Sequence, residues 1–298
     1  MERTIVYQSY RTYNVAGWID DCLWTVRQWA SRLGYDYTFL GDEIFDSLPA
    51  WFKEKTERAP GRMCLRSDLA RLQTARRFLS EGYDRAVWID ADILIFDAEA
   101  FSIPIHKGTG FCEETWLEKA PWSELFADPL GFAGKKRRSL TRFWSPINCY
   151  RRVNNAVSVF NRDTTFLEFY IKSCLEIASQ KENMVTTEFG ATFLSSLKGQ
   201  YDLGLIDDVG LLSPLVMEEI ASGRTIQLKR CMRHFRRPIH AANLCGSFHS
   251  RRVDGVEMRE ELYERVVSRL LDTRGEIVNR LIGRSPSDEV PGPVYSES

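Results

Sequence analysis

Arg85-Ala86-Val87-Trp88-Ile89-Asp90-Ala91-Asp92-Ile93-Leu94-Ile95-Phe96 is the stretch on which the fold turns. Ala86–Ile89 is apolar at every position, as a central strand covered on both faces should be. The strand delivers two aspartates, and four more apolar residues follow them. Unpaired buried charge is costly, so these carboxylates need cations, hydrogen-bond donors or a metal. In an extended chain, residues two apart point the same way, which predicts that Asp90 and Asp92 converge on one object. The end of a strand is also where open α/β sheets bind ligands. An Asp-x-Asp triplet alone is expected about once by chance in a chain of this composition, so the setting carries the argument. Two readings stand. In one, the pair caps nearby amides or pairs with Arg85 and its neighbours. In the other it holds a hard cation, Mg²⁺ or Mn²⁺, shared with substrate phosphates. Such a cation neutralises charge building on a diphosphate leaving group.

Outward from this strand, the first hundred residues alternate strand and helix, the pattern of βαβ units and a mixed, mainly parallel sheet. Thr4–Tyr7 reads as the first strand and Tyr37–Leu40 as the second. Between them Trp18, Ile19, Cys22, Val26, Trp29 and Leu33 recur at helical spacing. Asp20 and Asp21 suit that helix's positive first turn, and Gly34 its stop. A second helix is predicted over about 64–81. On it Asp68 falls at the edge of the apolar face, roughly 60° from Leu65 and beside Leu69, Leu72 and Leu79. Residues 113–153, broken by Pro and Gly and carrying the Lys135-Lys136-Arg137-Arg138 run, read as a long irregular segment. Ala156–Phe160 is a strand, 167–178 a helix, 202–206 and 239–245 further strands, and 255–282 a long amphipathic helix. The expected organisation is one α/β domain over 1–282 and a disordered tail over 283–298.

The chain has 298 residues, 40 basic against 41 acidic, and a formal charge of −1. That balance argues against a general nucleic-acid binder. No apolar run is long enough to cross a membrane, and the opening Met1-Glu2-Arg3-Thr4 lacks a signal peptide's apolar stretch. Seven cysteines without a Cys-x-x-Cys spacing read as reduced core thiols of a cytoplasmic protein, with structural zinc poorly supported.

Leu65-Arg66-Ser67-Asp68-Leu69-Ala70-Arg71, followed by Gly82-Tyr83-Asp84-Arg85-Ala86-Val87-Trp88-Ile89-Asp90-Ala91-Asp92, resembles the nucleotide-sugar glycosyltransferases of the A-type (GT-A, Rossmann-like) fold. Among these it is most similar to the glycogenin-like and the DxD-containing mannosyltransferase-like families, over roughly residues 4–110. The resemblance implies a nucleotide-diphospho-sugar donor, a divalent metal and a hydroxyl acceptor: a glycan, a lipid-linked acceptor or a small molecule. It also suggests retention of configuration. Asp68 and Arg71 match the residues that hold the donor in those families. Arg66 lies in the same motif, and Asp90 and Asp92 match the metal carboxylates. The alternative for Asp68 and Arg71 is a surface pair at i, i+3, contributing only a few tenths of a kcal/mol.

Weaker candidates complete the site. Ser9 and Tyr10, at the end of the first strand, stand where such enzymes bind the base, or form an ordinary polar loop. No Gly-x-Gly-x-Arg-like loop follows, which counts against a nucleotidyltransferase. Asn154-Asn155 resembles the family's Asn-rich approach to a strand beneath the sugar, and Asn155 is the candidate there; turn-forming asparagines are the other explanation. Glu188 is either a general base for the acceptor hydroxyl or a helix N-terminal acid. Asn243–His249 resembles the families' C-terminal metal loop, but Asn243 stands where a His is usual, and His249 is then the candidate third ligand. The Lys135–Arg138 run is either a solvated loop or a contact for an anionic acceptor or membrane surface. A nucleotide-sugar hydrolase, a nucleotidyltransferase and a non-catalytic sugar-nucleotide-binding protein are the alternatives to a transferase.

Overall fold

The computed structural model describes residues 2–119 and 147–282. Its strands are β1 (Thr4–Ser9), β2 (Asp36–Leu40), β3 (Arg85–Ile89), β4 (Ile93–Ile95), β5 (Thr109–Lys119), β6 (Ile147–Asn161), β7 (Gly204–Ile206), β8 (Val209–Leu211), β9 (Ala241–Asn243), β10 (Arg252–Val253) and β11 (Val256–Glu257). The helices that matter for the argument are α1 (Gly17–Arg32), α2 (Ala50–Thr56), α3 (Arg62–Ser80), α4 (Phe166–Gln180), α5 (Pro214–Ser222), α6 (Ile226–Met232) and α7 (Glu260–Asp272).

Six strands form the main sheet in the order β2-β1-β3-β6-β5-β7. β1 is parallel to β2 and β3, and β5 to β7, while β6 runs antiparallel to both β3 and β5. The protein is therefore a mixed α/β fold, as the βαβ pattern requires. Side-chain alternation divides the core into two layers. Ile5, Tyr7, Ala86 and Trp88 pack with α3 and α4 on one face. Val6, Val87 and Ile89 pack with Val26, Trp29 and Ala30 of α1 on the other. Each valine or isoleucine among these, taken fully from water, contributes about 1.5–3 kcal/mol. A second sheet, β4-β9-β8, is covered by α1, α5, α6 and α7.

Several boundaries differ from the sequence reading. Ile93–Ile95 leaves the main sheet and pairs with β9 in the second one. The cause is a turn: Asp90 N–H donates to Ala156 O at 2.8 Å, the last ladder bond, and Ile93 N–H donates back to Asp90 O at 3.1 Å. Asp is favoured at the first position of such a turn. Asp90 and Asp92 thus flank a corner and are not successive positions of one extended strand. The expected irregular segment 113–153 is regular at both ends, because Glu113–Lys119 and Ile147–Val153 pair with each other across β5 and β6; the Lys135–Arg138 run lies outside the described residues, as does the tail 283–298. The long helix over 255–282 is instead the β10–β11 hairpin, then α7 and a single turn at Glu276–Asn279. Gly275 makes the break at φ +76°, where its backbone lies so close to the Phe96 ring that a Cβ would stand 2.2 Å from it.

Candidate active site

β3 ends at the junction of the two sheets, and the two carboxylates beyond it have different surroundings. Asp90 is held from the α3 side. Its Oδ1 takes the Arg71 guanidinium at 3.0 Å and the Trp88 indole N–H at 2.6 Å. Its Oδ2 carries no hydrogen bond or ion pair among the described residues. The Arg71 guanidinium also lies 3.2 Å from Asp68 Oδ1, donates to Asn155 O at 2.9 Å and sits over the Trp88 ring at 4.7 Å. Asn155 Nδ2 donates to Asp68 Oδ1 at 2.9 Å.

Asp68 and Arg71 are 5% and 6% exposed, so the surface-pair reading fails. An exposed pair is worth a few tenths of a kcal/mol, whereas breaking a buried one costs about 3–5. Burial pushes the Asp68 carboxyl up to about 6 in spite of Arg71 and Asn155. It raises Asp90 as well, with Arg71 pulling the other way. For Arg71, burial opposes the charge, but Asp90 and Asp68 outweigh it and its pKa rises. Asn155 reaches this network because β6 changes register there: Phe111 pairs with Ser158 but Cys112 with Asn154. Such irregularities re-aim side chains beside sites.

Asp92 is held from the other side, by backbone. Its Oδ2 accepts Gly246 N–H at 2.6 Å, and its carbonyl accepts Leu244 N–H at 3.0 Å. Among the described residues no lysine or arginine forms an ion pair with it. Burial, and then the charge on Asp90, push its carboxyl up to about 7. Gly246 is needed here because a Cβ would lie 3.0 Å from the Trp18 ring and 3.2 Å from Asp92 Oδ2.

The loop that presents Gly246 is anchored by a residue the sequence reading missed. Glu114 Oε1 accepts Asn243 Nδ2–H at 3.3 Å, and Asn243 Oδ1 accepts Cys245 N–H at 2.8 Å. Cys245 has φ +55°, which turns the chain so that the next amide meets Asp92. Glu114 is fully buried and burial pushes it up to about 7, with Arg152 opposing. The signal was available: Glu113-Glu114 and Arg151-Arg152 are complementary doublets, and Glu114 lies opposite Arg152 in the β5–β6 register. Asn243, which stands where the motif resemblance leads one to expect a His, is thereby engaged in positioning the loop.

The remaining candidates separate. Tyr10 borders the site, and among the influences on its phenol are Arg11 and the Asp92 charge. Ser9 Oγ donates to Gly41 O at 3.4 Å beside it. Arg66 is engaged elsewhere: it donates to Thr56 Oγ1 at 2.9 Å and to Lys53 O, and pairs with Glu57 at 2.6 Å, tying α2 to α3. Arg85 sits at the far end of β3 with Ile103 O, so it does not neutralise the aspartates. Glu188 is buried with both oxygens on Lys181 Nζ, at 2.7 and 2.8 Å, and Val185 N–H at 3.3 Å; that ion pair fits the helix-terminal reading. His249 packs near Trp18 and Tyr263 with ring centroids 6.2 and 5.6 Å away. Its Nδ1 is 3.1 Å from Ser250 Oγ, and its Nε2 is buried without a hydrogen-bond partner among the described residues. Among the described residues no three His, Cys, Asp or Glu side chains group as metal ligands. The carboxylates that the end of β3 brings together are therefore a pair, Asp90 and Asp92, and not a set of three. A Mg²⁺-like ion suits such a pair, since it is commonly held by one or two carboxylates plus substrate phosphates and water.

No protein-family model matches the chain, and no curated protein does. Solved structures similar to it include a glycosyltransferase involved in the glycosylation of the major capsid of PBCV-1. That likeness has 12% identity and a TM-score of 0.41 over 82% of this chain and 93% of the other. Mouse xyloside xylosyltransferase 1, apo form, is similar at 10% identity and a TM-score of 0.41, over 82% of this chain and 98% of its own. These overlaps are loose, and the functional argument rests on the chain's own residues.

Proposed function

We propose that this chain transfers a sugar from a nucleotide-diphosphate donor to a hydroxyl acceptor, with Mn²⁺ or Mg²⁺ held by Asp92 and Asp90. The observation that carries the reading is the setting of Asp92: a carboxylate beside Asp90 that accepts the Gly246 amide and forms no ion pair with a lysine or arginine among the described residues, its carboxyl pushed up to about 7 by burial and by Asp90 against backbone amides and Arg71. The free oxygen of Asp90 belongs to the same carboxylate pair. A bound divalent cation would stabilise the negative charge that develops on a departing diphosphate.

The chain's own residues do the positioning. Arg71, clamped between Asp68 and Asn155, fixes Asp90 through Oδ1, and Oδ2 is the oxygen it leaves for the cation. Asp68 and Asn155 are buried and already bonded to each other, so their part is to hold Arg71. Glu114 and Asn243 set the amide that orients Asp92. Tyr10 is the side chain best placed to border the nucleotide. The stereochemical course, expected from the motif resemblance to be retention, is read directly from the anomeric configuration of the product.

The test is a thermal-stability panel of nucleotide-diphospho-sugars with Mn²⁺ and with chelator, on wild type and Asp92→Ala. A ligand that binds only the folded chain raises the midpoint. The expected result is metal-dependent stabilisation by one class of donor, lost in the variant, with acceptor-dependent sugar transfer. Release of free sugar independent of any acceptor identifies a hydrolase instead. Stabilisation with no turnover against an acceptor panel identifies a binding protein, the reading favoured by the engagement of Asn243 with Glu114.

A further inference from the structure

A second region of the chain is unlike the rest in charge. Between Glu219 and Asp254 there is no acidic residue, while eight lysines and arginines occur; the whole chain is nearly neutral. Six of these are concentrated on α6 and its two flanks: Arg224, Lys229, Arg230, Arg233, Arg236 and Arg237, all exposed.

The helix arranges them. At about 100° per residue, Ile226, Lys229, Arg230 and Arg233 fall within one arc of roughly a quarter turn. Leu228, Cys231 and Met232 fall opposite and are buried in the core around the second sheet. The outward arc has an apolar centre, because Ile226 is 66% exposed and stands among the cations. Local ion pairing leaves most of this charge uncompensated: among the described residues Arg224 meets Glu218 at 3.3 Å and Arg237 meets Asp207 at 3.9 Å. Lys229, Arg230, Arg233 and Arg236 form no ion pair there. The helix dipole accounts for one or two cations in a last turn, not for six over fourteen residues.

The geometry points to α6 as a contact for an anionic membrane surface, with Lys229, Arg230 and Arg233 facing the headgroups and Ile226 entering the interface. Clustered lysines and arginines beside an exposed apolar residue on a helix face match an acidic leaflet in charge and in polarity. Nucleic acid suits the face less well. Its backbone rewards the cations but gives an exposed aliphatic side chain nothing to pack on, and no aromatic ring lies on the arc to stack on bases. A surface of this kind is peripheral: no helix among the described residues is long and apolar enough to cross a membrane. The inference does not depend on the sugar-transfer reading, and its test uses no donor.

The full chain is sedimented with phosphatidylcholine vesicles, with and without phosphatidylserine, at physiological and raised salt. Wild type is expected to bind only the phosphatidylserine vesicles, and less at high salt. Lys229→Glu/Arg230→Glu/Arg233→Glu is expected to lose at least tenfold in binding, since each removed cation weakens attraction severalfold. Ile226→Asp should also weaken it. All four side chains are exposed, so an unchanged thermal midpoint verifies the fold. Failure of wild type to bind, or equal binding by the triple variant, overturns the proposal; the latter would point to another basic segment such as Lys135–Arg138. Tighter binding to a labelled oligonucleotide than to the vesicles, indifferent to Ile226, overturns it in favour of nucleic acid.

Discussion

Asp90 and Asp92 stand two residues apart and belong to opposite kinds of environment. Asp90 is tied to a guanidinium and an indole, while Asp92 is tied to a backbone amide. The first is a carboxylate that shares a guanidinium with Asp68 and is fixed in place by it. The second is a carboxylate whose charge the protein leaves unanswered. A pair built this way has one half fixed by a guanidinium and one half without an ion-pair partner among the described residues, an asymmetry that suits the cation proposed above. Two equally compensated acids would not attract one. Two equally bare acids would repel each other and favour a shared proton over two charges.

Removing Arg71 breaks the rigid half and should have the largest effect. Arg71→Met leaves Asp68 and Asp90 buried together without a counter-charge. The expected loss of folding stability is about 3–5 kcal/mol, measured by chemical denaturation. Adding Asp68→Asn and Asp90→Asn to the same chain should recover part of it, because the charges needing a partner are then gone. A loss below about 1 kcal/mol would mean that Arg71 is a solvent-screened pair and the contrast is wrong.

Asp92→Asn is the corresponding test of the other half, and its expected signature is different. The unliganded fold should be no less stable than wild type, since no cation pairs with this side chain. Its response to Mn²⁺ should disappear. At a metal concentration about a hundredfold above the dissociation constant, wild type should gain about 2.7 kcal/mol that the variant does not. An intact metal response in Asp92→Asn would move the cation site elsewhere.

Gly246→Ala sharpens the comparison with a smaller change. The added methyl must displace the Trp18 ring or the Asp92 carboxylate by a few tenths of an ångström. Lengthening the amide bond to Asp92 should cost about 1 kcal/mol and alter metal affinity, leaving the Arg71–Asp90 contact untouched. If Mn²⁺ affinity is unchanged while stability falls, the loop supports the fold and does not orient Asp92.

Half of this contrast was legible in the sequence. A four-residue apolar run ending in Asp-x-Asp is a local pattern, and so is Asp68 on the inner edge of a helix; both survive in the structure. The corner at Ala91 was not legible, because Ile93–Ile95 looks equally apolar whether it continues a sheet or crosses into a second one. Its partner, Ala241–Asn243, is about 150 residues away. Glu114 was missed for a related reason. The prolines and glycines of 113–153 make that segment look irregular, and nothing local shows that the charge doublets Glu113-Glu114 and Arg151-Arg152 pair across β5 and β6. His249 and Glu188 stand as ligand and base candidates by residue type, and type does not reveal that Trp18 and Tyr263 flank one and that Lys181 pairs with the other.

The smallest expected effect, and the one that isolates the electrostatics, is pH dependence. Asp92 has a folded-state pKa near 7, above the ordinary carboxylate value of 3.8, so the native chain binds more protons than the unfolded one between those two values. Stability from this group is fully present below about 4 and is lost as pH rises through about 7. Glu114 and Asp68, pushed up to about 7 and about 6, titrate in the same window, so wild type alone does not separate them. The difference between wild type and Asp92→Asn does. Because Asp92 is incompletely buried, solvent discounts the size, and a relative fall of a few degrees in midpoint is the scale to look for. Excess Mn²⁺ should abolish the fall in wild type by binding the ionised form, and should leave the variant's profile where it was. A difference curve that is flat with pH would mean that Asp92 ionises as freely in the folded chain as in the unfolded one. The two acids would then be alike, and the pull on a cation would have to come from somewhere other than the end of this strand.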